Sequence, residues 1–369
     1  MTPDFTHSPA HAEAQRVAAE RRSAKTFLAW LGATFLVLSA MNIGMSLHFG
    51  AIAGDLARVG GFAERDYGPR VQQPAATIAP NTVALAEADV VILGDSFSNR
   101  LLWQGELEAL TGKKTLTYQY GQVGCISNWL QWLKGQRLKP GAEVLIESVE
   151  RSFVPRFSEL VPCPNLRPVP VHRHIVAPSD IHWWDGGFSL DIVYQGRVLS
   201  NSLRMGAQAT YRSGEVVNVA LRNTQRFTNR RSDRLLYNAD DEDKNDWSTT
   251  QISRAIANLR EVQSRLAASG VDFRMLVMPD KSTVYRDDIA EPRIRPSSIA
   301  RDAQAAGLFQ FDMSACMRAL AMQLPDFYLP DDQHTGVAGY RMVASSLAER
   351  RCTAPPTAYA TEPPQSSGL

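Results

Sequence analysis

Short apolar runs alternate with helix-like stretches along most of the chain. DVVIL (89–93), KTLTYQY (114–120) and AEVLIESV (142–149) carry the β-branched and aromatic residues of strands. Between them, Asn99–Leu110 and ISNWLQWLKGQ (126–136) read as helices. This β-α-β-α-β order predicts a parallel sheet with helices on both faces. The alternation resumes at Ser248, which with Gln251 forms a capping box, and Ile252, Ala255, Ile256, Leu259, Val262 and Leu266 recur at helical spacing up to Gly270. Strand VDFRMLVMP (271–279), helix Ser297–Ala306, strand LFQFD (308–312), a short helix through Cys316 and a last helix Val337–Arg350 follow. Pro162–Asp246 breaks the pattern. Its alternating runs FSLDIVYQG (188–196) and EVVNVAL (215–221) suggest hairpins, so residues 162–246 are expected to be a β-rich insertion forming part of a substrate cleft.

The N-terminus has a different pattern. Thr26–Leu47 is an uncharged run rich in Leu, Ala, Phe and Met, about the ~20 residues that cross a bilayer. Arg16, Arg21, Arg22 and Lys25 precede it, and the next Lys or Arg are Arg58 and Arg65. This bias predicts a cytoplasmic tail at 1–25, a single-pass anchor at 26–48 and the rest of the chain across the membrane. A cleaved signal peptide is the alternative, although the run is long for one and LSAM is a poor cleavage site. Residues 49–80, with Gly and Pro, read as a spacer. Residues 81–352 read as one α/β domain, and the Pro-rich 353–369 as a disordered tail.

Composition narrows the chemistry. The 369 residues carry 39 basic and 38 acidic side chains, a net charge of +1, so no global field favours nucleic acid. The four cysteines, Cys125, Cys163, Cys316 and Cys352, suit an oxidising compartment, and chain proximity favours pairing Cys125 with Cys163 and Cys316 with Cys352. No metal-ligand spacing occurs, and His172 and His174 form a pair without a third ligand, so no metal or cofactor is expected. Arg222, Arg226, Arg230, Arg231 and Arg234 could meet the carboxylates of an acidic polymer or pair with the acids of DDEDKND (240–246).

One short stretch raises the question of catalysis. Gly94-Asp95-Ser96-Phe97 follows the first strand, where open α/β sheets place their ligands. Ser96 there is a nucleophile or simply a helix N-cap. Far downstream, His334 follows Asp331 and Asp332 in a loop before the last helix, and an imidazole with a nearby carboxylate is what a serine needs to become nucleophilic.

Taken together, GDSFS (94–98), ESVERSF (147–153), MPDKSTVY (278–285) and DDQHTGVAG (331–339) resemble the SGNH hydrolase superfamily, and in particular the SGNH-like O-acetyltransferases of alginate and related exopolysaccharides. The resemblance covers roughly residues 85–350. It implies a three-layer α/β sandwich, Ser96 as nucleophile and His334 as base. Asp332 matches the acetyltransferase spacing and Asp331 the esterase spacing. In the alginate enzymes the Asp-x-His stretch precedes the serine, whereas here it follows. The oxyanion hole would use the Ser96 N–H and a turn glycine of YGQVGCIS, Gly124 being preferred to Gly121. The Gly-x-Asn-Asp block of typical esterases is absent, and Glu150-Arg151 stands near that place. Asp95 would brace the loop, with Lys281, Tyr285 and Arg151 as candidate cleft residues.

The resemblance further implies a bacterial inner-membrane protein whose periplasmic domain moves acetyl from a donor, through an acetyl-serine, to a polysaccharide hydroxyl. The donor would come from a membrane-bound acyltransferase partner. A carbohydrate acetylesterase and a non-catalytic polysaccharide-binding or assembly protein are the alternatives.

Overall fold

The computed structural model describes residues 9–50, 54–159, 163, 167–172, 192–206, 208–309 and 311–352. The predicted tail 353–369, His174 and the FSLD part of FSLDIVYQG lie outside them.

Four parallel strands form the central sheet: β1 (Val90–Gly94), β2 (Thr115–Gln119), β3 (Glu143–Val149) and β7 (Asp272–Met278), in the order β2-β1-β3-β7. Leu93 pairs with Tyr118 on one side and Ile146 on the other, so the carboxyl ends of the strands lie together. β1 and the middles of β3 and β7 place apolar residues on both faces because both are covered, whereas the edge strand β2 sets Thr115 and Thr117 around Leu116. Val90, Ile92, Leu145, Leu276 and Met278 pack one way, against the helices Leu102–Thr111, Met313–Ala321 and Val337–Glu349. Val91, Leu93, Val144, Ile146 and Met275 pack the other way, against Ile126–Lys134, Phe153–Phe157 and Thr249–Ala267. The result is the expected three-layer α/β sandwich.

The Ser248 capping box forms with both of its hydrogen bonds, and the last helix, Val337–Glu349, lies where its pattern put it. A second, antiparallel sheet is built by β4 (Thr210–Ser213), β5 (Val216–Ala220) and β6 (Arg234–Asn238), so EVVNVAL does enter a hairpin.

Four expectations need correction. The described part of FSLDIVYQG opens the helix Ile192–Met205: Tyr194, Val198, Asn201 and Met205 are its buried stripe, a period near 3.6 hidden inside an apparent alternation. LFQFD forms no strand among its described residues, and Leu308 and Phe309 are buried as loop residues. The single helix expected at 99–110 is two, Ser96–Asn99 and Leu102–Thr111, divided where Leu101 takes a left-handed φ of 56°. The stretch read as a spacer is folded: Leu56, Ala57, Phe62 and Tyr67 share a buried cluster with Val216 and Leu236 of the small sheet.

The apolar N-terminal segment is one helix, Pro9–Phe49, and its Glu13–Phe49 portion is long and apolar enough to cross a membrane. The cysteines pair as Cys125–Cys163 and Cys316–Cys352, closing sequence separations of 38 and 36 residues. Loops of this size restrict the unfolded chain by about 2–4 kcal/mol each. Reduction under native conditions is therefore expected to lower Tm, and a scanning-calorimetry comparison with and without reductant that shows no shift would contradict this.

Candidate active site

The Gly-Asp-Ser turn lies where β1 ends and the helix Ser96–Asn99 begins. Gly94 is required by contact, since a Cβ there would stand 2.2 Å from Ser98 Oγ. Asp95, not Ser96, is the N-cap: its carboxylate accepts the Phe97 N–H at 3.2 Å and, through Oδ2, the Val149 N–H and Arg156 Nη1 at 2.7 and 2.8 Å. The capping role is thus taken, and the half-buried Ser96 hydroxyl is not spent on it. As first residue of its helix, Ser96 also has a backbone N–H without an intrahelical acceptor.

Beneath this turn Glu147 is fully buried. Its Oε2 accepts from the Asp95 N–H at 2.9 Å and Ser98 Oγ at 2.7 Å, while Oε1 takes no hydrogen bond among the described residues. Burial, and next the Asp95 charge, push its carboxyl well above the ordinary value. A carboxyl raised in the folded state binds its proton more tightly there than in the unfolded chain. Stability is then fullest below the unfolded value of about 4.3 and declines as pH climbs through the folded one. Glu147→Gln is expected to flatten that decline in thermal melts taken upward from about pH 4.3; an unchanged slope would contradict the assignment.

The histidine loop arrives from the other side of the crevice. Asp332 Oδ1 lies 2.6 Å from His334 Nδ1 and also accepts the His334 N–H at 2.9 Å; Oδ2 takes Arg100 Nη2 at 2.6 Å. Burial opposes the Asp332 charge, but the His334 and Arg100 contacts prevail and hold the carboxyl well below the usual carboxylate range. A carboxylate at that distance keeps the proton on Nδ1 and leaves Nε2 with a lone pair. Nε2 is buried and has no hydrogen-bond partner among the described residues. The His334 ring packs at 4.7 Å, centroid to centroid, on Phe97, the residue after Ser96. No hydrogen bond joins Ser96 Oγ to Nε2 here; in serine enzymes that contact commonly tightens only with substrate bound.

Asp331 is turned away. Its carbonyl accepts the Ala57 N–H, and its Oδ1 has no partner among the described residues, so it is Asp332 that meets the imidazole.

The other candidate residues serve this loop or the core. Lys281 is buried and donates Nζ to the carbonyls of Leu329, Pro330 and Asp332 at 2.7, 2.9 and 3.1 Å. Burial pushes it down to about 8 against the pull of Asp331 and Asp332. Tyr285 does not line a cleft either: it is fully buried and its hydroxyl accepts the Tyr328 N–H. Arg151 pairs with Asp280 at 2.8 Å and holds the Gln333 side chain at 2.7 Å. Gly124 adopts φ 82°, as its turn requires, but its N–H donates to the Tyr120 carbonyl at 2.8 Å and is not free for an oxyanion. In the arginine run, Arg226 pairs with Asp288, Arg231 with Asp233, and Arg222 and Arg234 donate to backbone carbonyls. These contacts are not with 240–246, and Arg230 is exposed.

Three contributors were not foreseen. Arg100 lies one helical turn beyond Ser96, a spacing that could have suggested a charge on the serine's side. Glu147 is one of two acids, with Glu143, in the buried strand Glu143–Val149, a recognisable signal. Asp55 had none, coming from the supposed spacer: its Oδ1 accepts the Gln333 N–H at 2.9 Å and its Oδ2 lies 3.7 Å from His334 Nδ1. Burial, then the Asp332 charge, raises the Asp55 carboxyl. Asp55, Asp332 and His334 bring ligand-type atoms within 4.8 Å of one another, the Asp332–His334 pair being hydrogen-bonded at 2.6 Å. A cavity of about 590 Å³ beside β7, lined by Phe273, Met275, Ile299 and Phe309 among others, does not include Ser96 or His334.

Residues 232–367 match the family described as the SGNH hydrolase-like domain of acetyltransferase AlgX, the family the motifs resemble. The matched segment contains Lys281, Asp332 and His334, and Ser96 lies before it. No curated protein and no solved structure matches the chain.

Proposed function

From an AlgX-type SGNH segment joined to a serine turn, we propose that the chain is a membrane-anchored, periplasmic O-acetyltransferase acting on an exopolysaccharide. The observation that carries this reading is the buried Nε2 of His334, without a hydrogen-bond partner among the described residues, backed by Asp332 and packed beside the Ser96 turn. An orphaned buried acceptor costs about 1–3 kcal/mol, a cost retained where function uses the atom.

His334 Nε2 takes the Ser96 proton as Oγ attacks the acetyl carbonyl, and Asp332 stabilises the resulting imidazolium. The Ser96 N–H supports the oxyanion. Collapse expels the donor's leaving group, which takes the proton from His334, and leaves acetyl-Ser96. A sugar hydroxyl, deprotonated by His334, then attacks the ester; the acetyl passes to the sugar and the proton returns to Ser96. Acidic exopolysaccharide is the proposed acceptor and a membrane-bound acyltransferase the proposed source of acetyl.

The test offers the full chain in detergent a chromogenic acetyl ester, with and without alginate-type oligosaccharides, and weighs the sugars afterwards. Acetylated sugar that depends on Ser96 supports transfer. Acetate alone, whatever acceptor is present, would replace the reading by an esterase, and no turnover of any ester would favour a binding protein.

A further inference from the structure

We propose that the helix Ile192–Met205 lies on the membrane surface where the N-terminal helix emerges, with Leu199 and Leu203 in contact with lipid. This rests on the anchor reading above and extends it to a second element. The buried stripe of this helix is tied to the last turns of Pro9–Phe49: Gln195 Nε2 donates to Ser46 Oγ at 3.0 Å, and Tyr194 and Val198 share a buried cluster with Phe49 and Ala63. Ser46 belongs to the uncharged run itself, so whatever packs there is held at the edge of the hydrocarbon layer.

The opposite face is apolar and open. Leu203 is 77% exposed and Leu199 45%, beside a membrane helix whose Leu47 is 68% exposed. Between the two helices runs a cleft of about 520 Å³, with Met41, Met45 and Phe49 on one wall and Leu199 on the other. Leucines in such a position, on a helix that also carries the exposed Arg197 and Arg204, are the pattern of an amphipathic helix in an anionic interface. Arg65, which donates to the His48 carbonyl, adds a further cation at this level, and Asp66 is the acid that lines the cleft. A protein partner would also cover leucines. The bilayer is favoured because the helix is bonded to the membrane segment's own end.

This placement has a consequence for the site. Asp55, a few residues beyond Phe49, contacts the His334 loop, so a domain pinned at two helices presents its histidine loop close to the membrane, where an acyl donor from a membrane partner would arrive.

The test uses the full chain in nanodiscs of phosphatidylcholine with phosphatidylglycerol, carrying photoreactive benzoylphenylalanine in place of Leu199, Leu203, Leu36 or Arg254. Leu36 lies mid-anchor and Arg254 on an exposed helix face remote in sequence. Mass analysis after illumination is expected to show lipid adducts at Leu199 and Leu203 at least about tenfold above the Arg254 background, as interfacial burial demands. Adducts at Leu36 without adducts at Leu199 and Leu203 would overturn the proposal and leave the anchor standing. Protein adducts at Leu203 would likewise overturn it, and no lipid adduct even at Leu36 would bring down the anchor together with the inference.

Discussion

Asp332→Asn is expected to lower kcat for acetyl transfer on the order of 10³–10⁴-fold, the scale on which a triad carboxylate acts, whereas Asp331→Asn should cost less than about tenfold. The two acids are adjacent in sequence and both are buried, so composition does not separate them; geometry does. Asp332 holds His334 Nδ1 at 2.6 Å and Arg100 at 2.6 Å, while the Asp331 carbonyl is engaged with the Ala57 N–H. Asparagine at 332 keeps the shape but offers either a neutral oxygen or an amide donor to the imidazole. The charge that stabilises imidazolium is lost, and the tautomer with its proton on Nδ1 is no longer enforced. Steady-state rates of both variants, normalised to folded protein by circular dichroism, check this. Equal losses would mean that the loop is merely structural.

Ser96→Ala should be the larger effect, on the order of 10⁵–10⁶ in kcat, because no other hydroxyl replaces the covalent step. Stability should change by no more than about 0.5 kcal/mol, since the substitution removes neither a cap nor a packed group. Asp95 remains as the cap with its bonds from Phe97, Val149 and Arg156 intact, and Phe97 still packs on His334. An activity that survives Ser96→Ala would remove the serine from the chemistry. A variant that fails to fold would show that the turn is built on the hydroxyl after all.

Much of the fold could be read from local pattern. β1 and the apolar stretches within β3 and β7 are short continuous runs because they are covered on both sides, and the Ser248 box carries its own start signal. Misreadings arose where tertiary packing set the conformation. Tyr194, Val198, Asn201 and Met205 look irregular until Phe49 is laid against the first two and the segment 56–67 against the last two. LFQFD is apolar because it is buried, although no strand forms among its described residues.

The site divides the same way. Ser96 and the Asp-x-His stretch stand in recognisable motifs, but whether Asp331 or Asp332 faces the imidazole depends on how the loop is pinned. The pins are long-range: Lys281 from the end of β7, Arg151 from the end of β3, Arg100 from beyond the serine and Asp55 from just past the N-terminal helix. None of these contacts follows from spacing along the chain. Lys281 and Arg151 were expected near substrate because they belong to the motifs. Their hydrogen bonds place them behind the His334 loop instead, as positioning residues.

The most direct test of the account is the covalent intermediate itself. Full-length protein treated briefly with an activated acetyl ester, quenched in acid and digested, should carry one acetyl group on the peptide containing Ser96. That group should be absent in Ser96→Ala and in His334→Ala, and should be discharged when an oligosaccharide acceptor is added before the quench. Acetyl found on another residue, or none on Ser96 while the ester is still turned over, would contradict a mechanism that runs through Ser96, His334 and Asp332.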